Sequence, residues 1–307
     1  MAIGVPCRSF YRAKVMTANA KRGRKTSPAN KLSSQERKEV VDLLLNQETI
    51  DLSPREIYYK ILDEDQKIIA SPSTFYRIAK TDNLLTKRAK TEHKPINREK
   101  PHLAATGPNQ IWSWDVTQIR TDYRNIRFYL YVIIDIWSRY ITGWKLEERE
   151  QTEEAIKMWK EALEFQGISG NGLINHKDNG SIMTAHEMIK FVRDAQMIDS
   201  YSRSGVSDDN PYSEALFRTI KYFRDFPDRF SSIEEARTYF KKYFDDYNHE
   251  HRHSRIQFMA PANRHFGEEE RILLARNEII KNFYNDNPRR YSGKYKVFSP
   301  ITVVRIN

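Results

Sequence analysis

The sequence predicts an α/β fold, a mixed five-stranded sheet flanked by helices, preceded by an all-α module of three short helices. Three observations lead there. Between residues 110 and 146 three strand-like runs follow one another with only turn residues between them. From residue 152 onward helical and strand-like runs alternate. Before residue 86 helix starts recur at capping serines, with no alternating pattern between them.

The bulk properties bound the chain further. Its 307 residues, 39% apolar and 30% charged, suffice for two domains and one sizeable core. The longest strongly apolar run, 129–137, has nine residues and contains Asp135, so it is too short to span a bilayer. No leading segment reads as a signal peptide. The single cysteine, Cys7, excludes an internal disulfide, and a cytoplasmic location is expected. The net charge is +10, and residues 1–100 carry 21 Lys/Arg against 12 Asp/Glu. The excess therefore sits in the first third, which points to a polyanion partner, most simply DNA. A solvated basic arm is the bland alternative.

Taken in order, residues 1–31 are a basic arm with eight Lys/Arg and no acid, including Arg22, Arg24 and Lys25. It is expected to be disordered without DNA. Within it, 4–12 look like the end of a helical unit. Residues 32–85 read as a helix-turn-helix DNA-binding domain. Ser33 caps a first helix with Glu36 three residues on, and Val40, Val41, Leu43, Leu44 and Leu45 form its apolar stripe. Ser53 caps a second, with Pro54 in the first helical position and Ile57, Tyr58 and Ile61 on the buried face. A third runs from Ser71 to about Asn83. As the recognition helix it would turn Ser73, Thr74, Arg77 and Lys80 toward DNA; a helical bundle without groove contacts is the alternative. Residues 86–106 lack periodicity and read as a linker.

A larger domain spans 107–266. Strands are expected over 110–119, 126–136 and 139–146, with Ile126, Phe128, Leu130, Val132 and Ile134 sharing one face of the second. A helix over 152–166, a strand at 173–176, a helix over 184–195, a strand near 199–202 and a helix opening at Pro211 follow. This is the order of a ribonuclease-H-like fold. Residues 267–307 read as an amphipathic helix and a short basic β tail that contacts either DNA or a second subunit.

Three carboxylates stand out. Asp115 lies mid-strand between apolar neighbours, where a buried charge needs a partner or a metal. Asp178 follows the fourth strand and precedes Asn179-Gly180. Glu214 sits on the first turn of a helix that Asn210 can cap and Pro211 can open. Thirty-five residues separate Asp178 from Glu214, and Lys221 falls two turns beyond Glu214 on the same helix face. Oxygen ligands of this kind suit Mg²⁺ or Mn²⁺. Two such ions about 3.5–4 Å apart can activate a nucleophile and stabilise a leaving oxygen at a phosphodiester.

The stretches GPNQIWSWDVT at 107–117, IDIWSR at 134–139, DNGS at 178–181, SDDNPYSE at 207–214 and Tyr247-Asn248 together resemble the integrase-type catalytic core of bacterial insertion-sequence transposases, the Asp-Asp-35-Glu (DDE) class. The likeness spans about 107–265. It implies that Asp115, Asp178 and Glu214 are catalytic and bind the metal, two ions per active site, and that Lys221 assists and touches DNA. It also implies hydrolysis that frees 3′ hydroxyls at element ends, their attack on target DNA, and a homo-oligomer, dimer or larger, associated with the nucleoid when DNA-bound. Such proteins often carry more helical sequence upstream, sometimes from an overlapping reading frame. The start near residue 4 therefore reads as truncated, with that frame's product as a partner.

Competing readings accompany these. Asp135 is expected to bond the following turn or Arg139, and Asp208 and Asp209 to serve the loop or cap. His249, His251 and His253 alternate as zinc ligands can, but with no cysteine nearby they read as structural or DNA contacts. Asn179 either positions Asp178 or contacts DNA, and Tyr212 reads as packing. Two other function classes stay open: a DNA-binding repressor that has lost catalysis, and a ribonuclease-H-like nuclease without strand transfer.

Overall fold

Serine caps organise the front of the chain. The computed structural model describes residues 31–46, 48–49, 52–82, 84–85, 103–202, 210–291 and 293–306. The basic arm with Arg22, Arg24 and Lys25, residues 86–102, and Asp208 and Asp209 lie outside these. Helices α1 (Ser34–Leu45) and α2 (Pro54–Glu64) each open on a reciprocal capping box, Ser33 with Glu36 and Ser53 with Glu56. Helix α3 (Pro72–Thr81) opens on Ser71, whose hydroxyl accepts from the Thr74 amide. Each cap stabilises its helix by about 1 kcal/mol. The fold of this module comes from burial of Val40, Leu44, Ile57, Leu62, Phe75, Ile78 and Ala79 in one cluster.

The sheet follows. Strand β1 (Leu103–Ala105) precedes β2 (Ile111–Arg120), β3 (Arg127–Asp135) and β4 (Ile141–Glu147). Then come α4 (Thr152–Phe165), β5 (Ile174–Lys177), α5 (His186–Asp194), β6 (Ile198–Tyr201) and α6 (Pro211–Lys221). Helix α7 (Ile233–His249), a 3₁₀ turn at Ser254–Ile256, α8 (Pro261–His265), α9 (Glu269–Asp286) and β7 (Val304–Ile306) complete the chain. Five strands form one sheet in the order β4-β3-β2-β5-β6. β2, β3 and β4 are antiparallel neighbours, and β5 and β6 run parallel to β2.

Alternation along the strands sorts side chains onto two faces. Phe128, Leu130, Val132 and Ile134 of β3 pack with α6 and α7 on one side. Tyr131 and Ile133, with Trp112 and Trp114 of β2, pack with α4 and α5 on the other. Covering both faces explains why β3 reads as an almost continuous apolar run. Ile126, expected in the first set, lies outside the strand and is exposed. Gly143 of β4 lets α4 approach: a Cβ there would fall 2.9 Å from the Ala162 Cβ.

The end of the chain departs from the sequence expectation. Residues 103–105, read as linker, are a strand, and the tail strand at 304–306 pairs with it antiparallel. The tail thus folds onto its own chain. Helix α9 also shares a core with the helical front, since Leu273, Ile280 and Phe298 belong to the cluster of Val40, Ile57 and Phe75. No helix among the described residues is long and apolar enough to cross a membrane.

Candidate active site

The two faces of β2 have opposite chemistry. With Trp112 and Trp114 committed to the α4 side, where their rings lie 5.5 and 6.2 Å from Trp159, Ser113, Asp115 and Thr117 must point to the α6 side. Helix α6 lies along them. Ser113 Oγ meets Ser213 Oγ at 2.9 Å, and Lys221 Nζ donates to Thr117 Oγ1 at 2.8 Å. The lengths match: four strand steps cover ~13 Å and eight helical steps ~12 Å. Between the two ties stand Asp115 on the strand and Glu214 on the first helical turn.

Asp178 comes to the same place through register. Ser113 pairs with His176 in the parallel ladder, and β5 ends at Lys177, so Asp178 leaves the sheet at the end of the strand next to that of Asp115. The Gly180 amide donates to Asp178 Oδ1 at 2.8 Å, and a Cβ at residue 180 would lie 3.0 Å from that oxygen. Glycine thus lets the backbone close beneath the carboxylate.

Electrostatics registers the convergence. The Asp115 carboxyl is pushed up to about 7. Burial is the main cause, and the charges of Asp178 and Glu214 add to it. The Val116 amide, donating to Asp115 Oδ1 at 2.7 Å, and the Lys221 ammonium act in the opposite direction. Lys221 is itself lowered, chiefly by burial and then by Arg120. Asp178 and Glu214 therefore both bear on Asp115, and the Lys221 ammonium, tied to Thr117, lies close by. Among the described residues no three His, Cys, Asp or Glu side chains stand close enough to hold a metal ion as they are.

Several other expectations resolve. Asn210 stands at the N-cap of α6, but its side chain makes no cap bond. Instead Oδ1 accepts from Ser113 Oγ at 2.5 Å, and Nδ2 reaches the Trp114 carbonyl at 3.4 Å. The cap expectation is thus corrected: the partners on β2 outcompete the local amide. Asp135, fully buried, accepts from the Ser138 amide (2.7 Å), the Ser138 hydroxyl (2.8 Å) and the Asn109 amide (2.7 Å), which makes it a structural anchor of the turn. Asn179 Nδ2 donates to the Ser202 carbonyl at 2.7 Å, joining the ends of β5 and β6.

Each of the three histidines has its own protein contacts, and the His251 and His253 rings meet edge to face at 5.8 Å. His249 Nδ1 meets the Asp245 carbonyl, the His251 ring stacks on Tyr247, and His253 Nδ1 accepts from the Arg255 amide. On α3, Ser73, Arg77 and Lys80 are exposed on one face, while Thr74 is half-buried with its hydroxyl against that of Ser71. Sequence reasoning missed Ser113, Thr117 and Ser213. Period-two alternation from Asp115 would have placed the first two on its face.

An α/β core that gathers acids from β2, the end of β5 and the start of α6 is the architecture of a polynucleotidyl transferase. Two family models described as integrase core domains match residues 105–207 and 196–261. The chain is 30% identical over 191 residues to a transposase for insertion sequence element IS904 of Lactococcus lactis, covering 59% of this chain and 74% of that one. It is 31% identical over 158 residues to transposase InsF of Escherichia coli insertion sequence IS3A, covering 51% of this chain and 54% of that one. It thus spans about three quarters of the first relative and about half of the second. A solved structure of the HTLV-2 integrase catalytic core domain in complex with magnesium aligns at a TM-score of 0.40 and 21% identity, over 52% of this chain and 97% of that one. The chain belongs to the insertion-sequence transposases with an integrase-type, DDE catalytic core.

Proposed function

We propose that this transposase cleaves DNA at the ends of its insertion sequence and joins the freed 3′ hydroxyls to target DNA, with Asp115, Asp178 and Glu214 as its catalytic carboxylates. One observation carries the reading: the ties of Ser113 to Ser213 and of Thr117 to Lys221 lay α6 along β2 and bring Glu214 beside Asp115, in a chain whose relatives are transposases.

The donor set fits a divalent cation. Three hard oxygen ligands repel one another, and burial penalises the charge on Asp115. A cation of this type relieves both costs, which a neutral ligand cannot do. Asp115, Asp178 and Glu214 would hold Mg²⁺ or Mn²⁺, two ions per site. When bound, such ions polarise the phosphodiester and favour the ionised nucleophile. The chain's own residues do the rest. Gly180 and Val116 orient two of the carboxylates through their amides. Lys221, braced by Thr117, presents its ammonium to a phosphate oxygen. In the first step water displaces the 3′ oxygen of the element end; in the second that hydroxyl displaces the corresponding oxygen of a target phosphodiester.

The exposed face of α3, with Ser73, Arg77 and Lys80, and the half-buried Thr74 beside it, is the proposed reader of the element end. The basic arm with Arg22, Arg24 and Lys25 adds sequence-independent contacts, and Asn179 stands beside the path of the strand. Two ends must be joined, so the working species is a homo-oligomer, with the product of an upstream frame as a further partner.

The test is an assay with pre-cut element ends, a plasmid target and Mg²⁺. Joined product is expected from wild type, and none from Asp115→Asn, which still binds the ends. Cleavage without joining would favour a plain nuclease. An equal loss of binding in the variant would remove Asp115 from its role.

A further inference from the structure

The turn between β3 and β4 holds a charge that the protein does not satisfy. Arg139 is 6% exposed. Among the described residues neither its Nε nor its Nη1 has a hydrogen-bond partner. A buried guanidinium is ordinarily paired, because losing its water without replacement is costly. Asp135 lies near enough to compensate in part, but its oxygens are engaged by Ser138 and Asn109.

The position is built rather than accidental. Arg139 has φ 69°, a left-handed conformation that a non-glycine residue adopts only when its surroundings impose it. The Arg139 amide donates to the Asp135 carbonyl at 2.8 Å, which fixes that turn. The guanidinium then lies over the Tyr212 ring, 4.1 Å from its centre. Tyr212 is held in turn by its hydroxyl, which donates to the Arg305 carbonyl at 2.6 Å. Arg255, exposed at the 3₁₀ turn that follows α7 in the chain, and His253 bear electrostatically on the same group. A second cation bearing on a first whose Nε and Nη1 are unbonded makes the place worse for the protein alone and better for an anion.

We propose that Arg139 and Arg255 form a phosphate-binding site for the DNA backbone at the start of α6, separate from the three carboxylates. This rests on DNA being the substrate. Phosphate is the occupant the chemistry favours: the planar guanidinium offers a fork of N–H donors that matches two phosphate oxygens. The placement agrees, since Tyr212 precedes Glu214 by two residues, and DNA engaged at Glu214 continues across the start of the same helix.

The test uses the full chain, a fluorescent DNA duplex of arbitrary sequence, and inorganic phosphate. Arg139→Met keeps the volume and removes the charge. Its Tm is expected to stay near wild type, while duplex affinity falls about tenfold and the slope of log affinity against log salt drops by about one. Arg255→Gln, at an exposed position, should lower the slope in the same direction. Inorganic phosphate should raise the Tm of wild type and not that of Arg139→Met. Unchanged affinity and slope in both variants would overturn the site while leaving the transposase reading intact. If Arg139→Met unfolds, Arg255→Gln and the wild-type phosphate shift decide the matter in the same way. Loss of self-association with an unchanged salt slope would mean that a carboxylate of a second copy fills the pocket, which also overturns the proposal. Wild type that binds no duplex at all would remove the DNA-substrate reading itself.

Discussion

Two aspartates show how this chain treats acidic charge in opposite ways. Asp63, at the end of α2, is saturated. Arg276 Nε and Nη2 meet its two oxygens at 2.7 and 2.8 Å, and Arg252 Nη1 meets Oδ2 at 2.6 Å. Arg276, 1% exposed, spends its remaining donors on the Gln257 and Phe258 carbonyls. Asp115, on β2, has the amide of its own neighbour and two facing carboxylates. One site is closed within the protein and ties the helical front to α9; the other holds a carboxylate that burial penalises and that two further acids bear on. The difference separates a charge that serves the fold from one that, on the proposed function, serves a ligand.

Substitutions can break the contrast. The largest effect is expected for Asp115→Asn, with strand transfer falling at least about a thousandfold, equivalent to ~4 kcal/mol of barrier. The Tm of the metal-free protein should rise, because a charge penalised by burial is gone. A fall in Tm would mean that Asp115 is structural. Asp63→Ala should do the reverse. Leaving Arg276 buried and unpaired costs about 3–5 kcal/mol, so thermal unfolding should move down by roughly 10 °C, with strand transfer by the folded fraction retained. An unchanged Tm would show that the junction does not depend on this network.

Two smaller effects sharpen the comparison. The Asp115 carboxyl stands above its unfolded value, at about 7. Stability from this group is therefore present at low pH and lost as pH rises from the ordinary carboxylate range through about 7. A cation must displace the proton below that point, so apparent Mg²⁺ affinity should weaken by up to about tenfold per pH unit below 7. Calorimetric titration at pH 6 and pH 8 would check this, and equal affinities would contradict it. The smallest change is Gly180→Ala. Its Cβ would press on Asp178 Oδ1, and a loss of activity of about tenfold is expected with little change in Tm, measured by single-turnover joining.

Much of the fold was legible because its signals are local. Ser33, Ser53 and Ser71 announce helices within four residues of themselves. Alternation through Phe128, Leu130, Val132 and Ile134 marks one face of β3 without reference to the rest of the chain. Asp115, Asp178 and Glu214 were each readable from their strand or helix context. The ties around them were not, because a hydrogen bond such as Ser113 to Asn210 joins residues 97 apart in sequence.

By itself, then, the sequence determined the order and type of most elements and singled out three acids, Asp115, Asp178 and Glu214, that are proposed to be catalytic. These follow from backbone periodicity and short-range capping, which act over a few residues. Tertiary structure alone decided that Asn210 serves β2 rather than its own helix, that the tail strand returns to residues 103–105, and that Asp63 is neutralised by Arg252 and Arg276. It also left Nε and Nη1 of the buried Arg139 without a hydrogen-bond partner among the described residues. Such outcomes depend on which groups meet after distant segments pack, and a buried charge is satisfied or stranded by whatever arrives next to it.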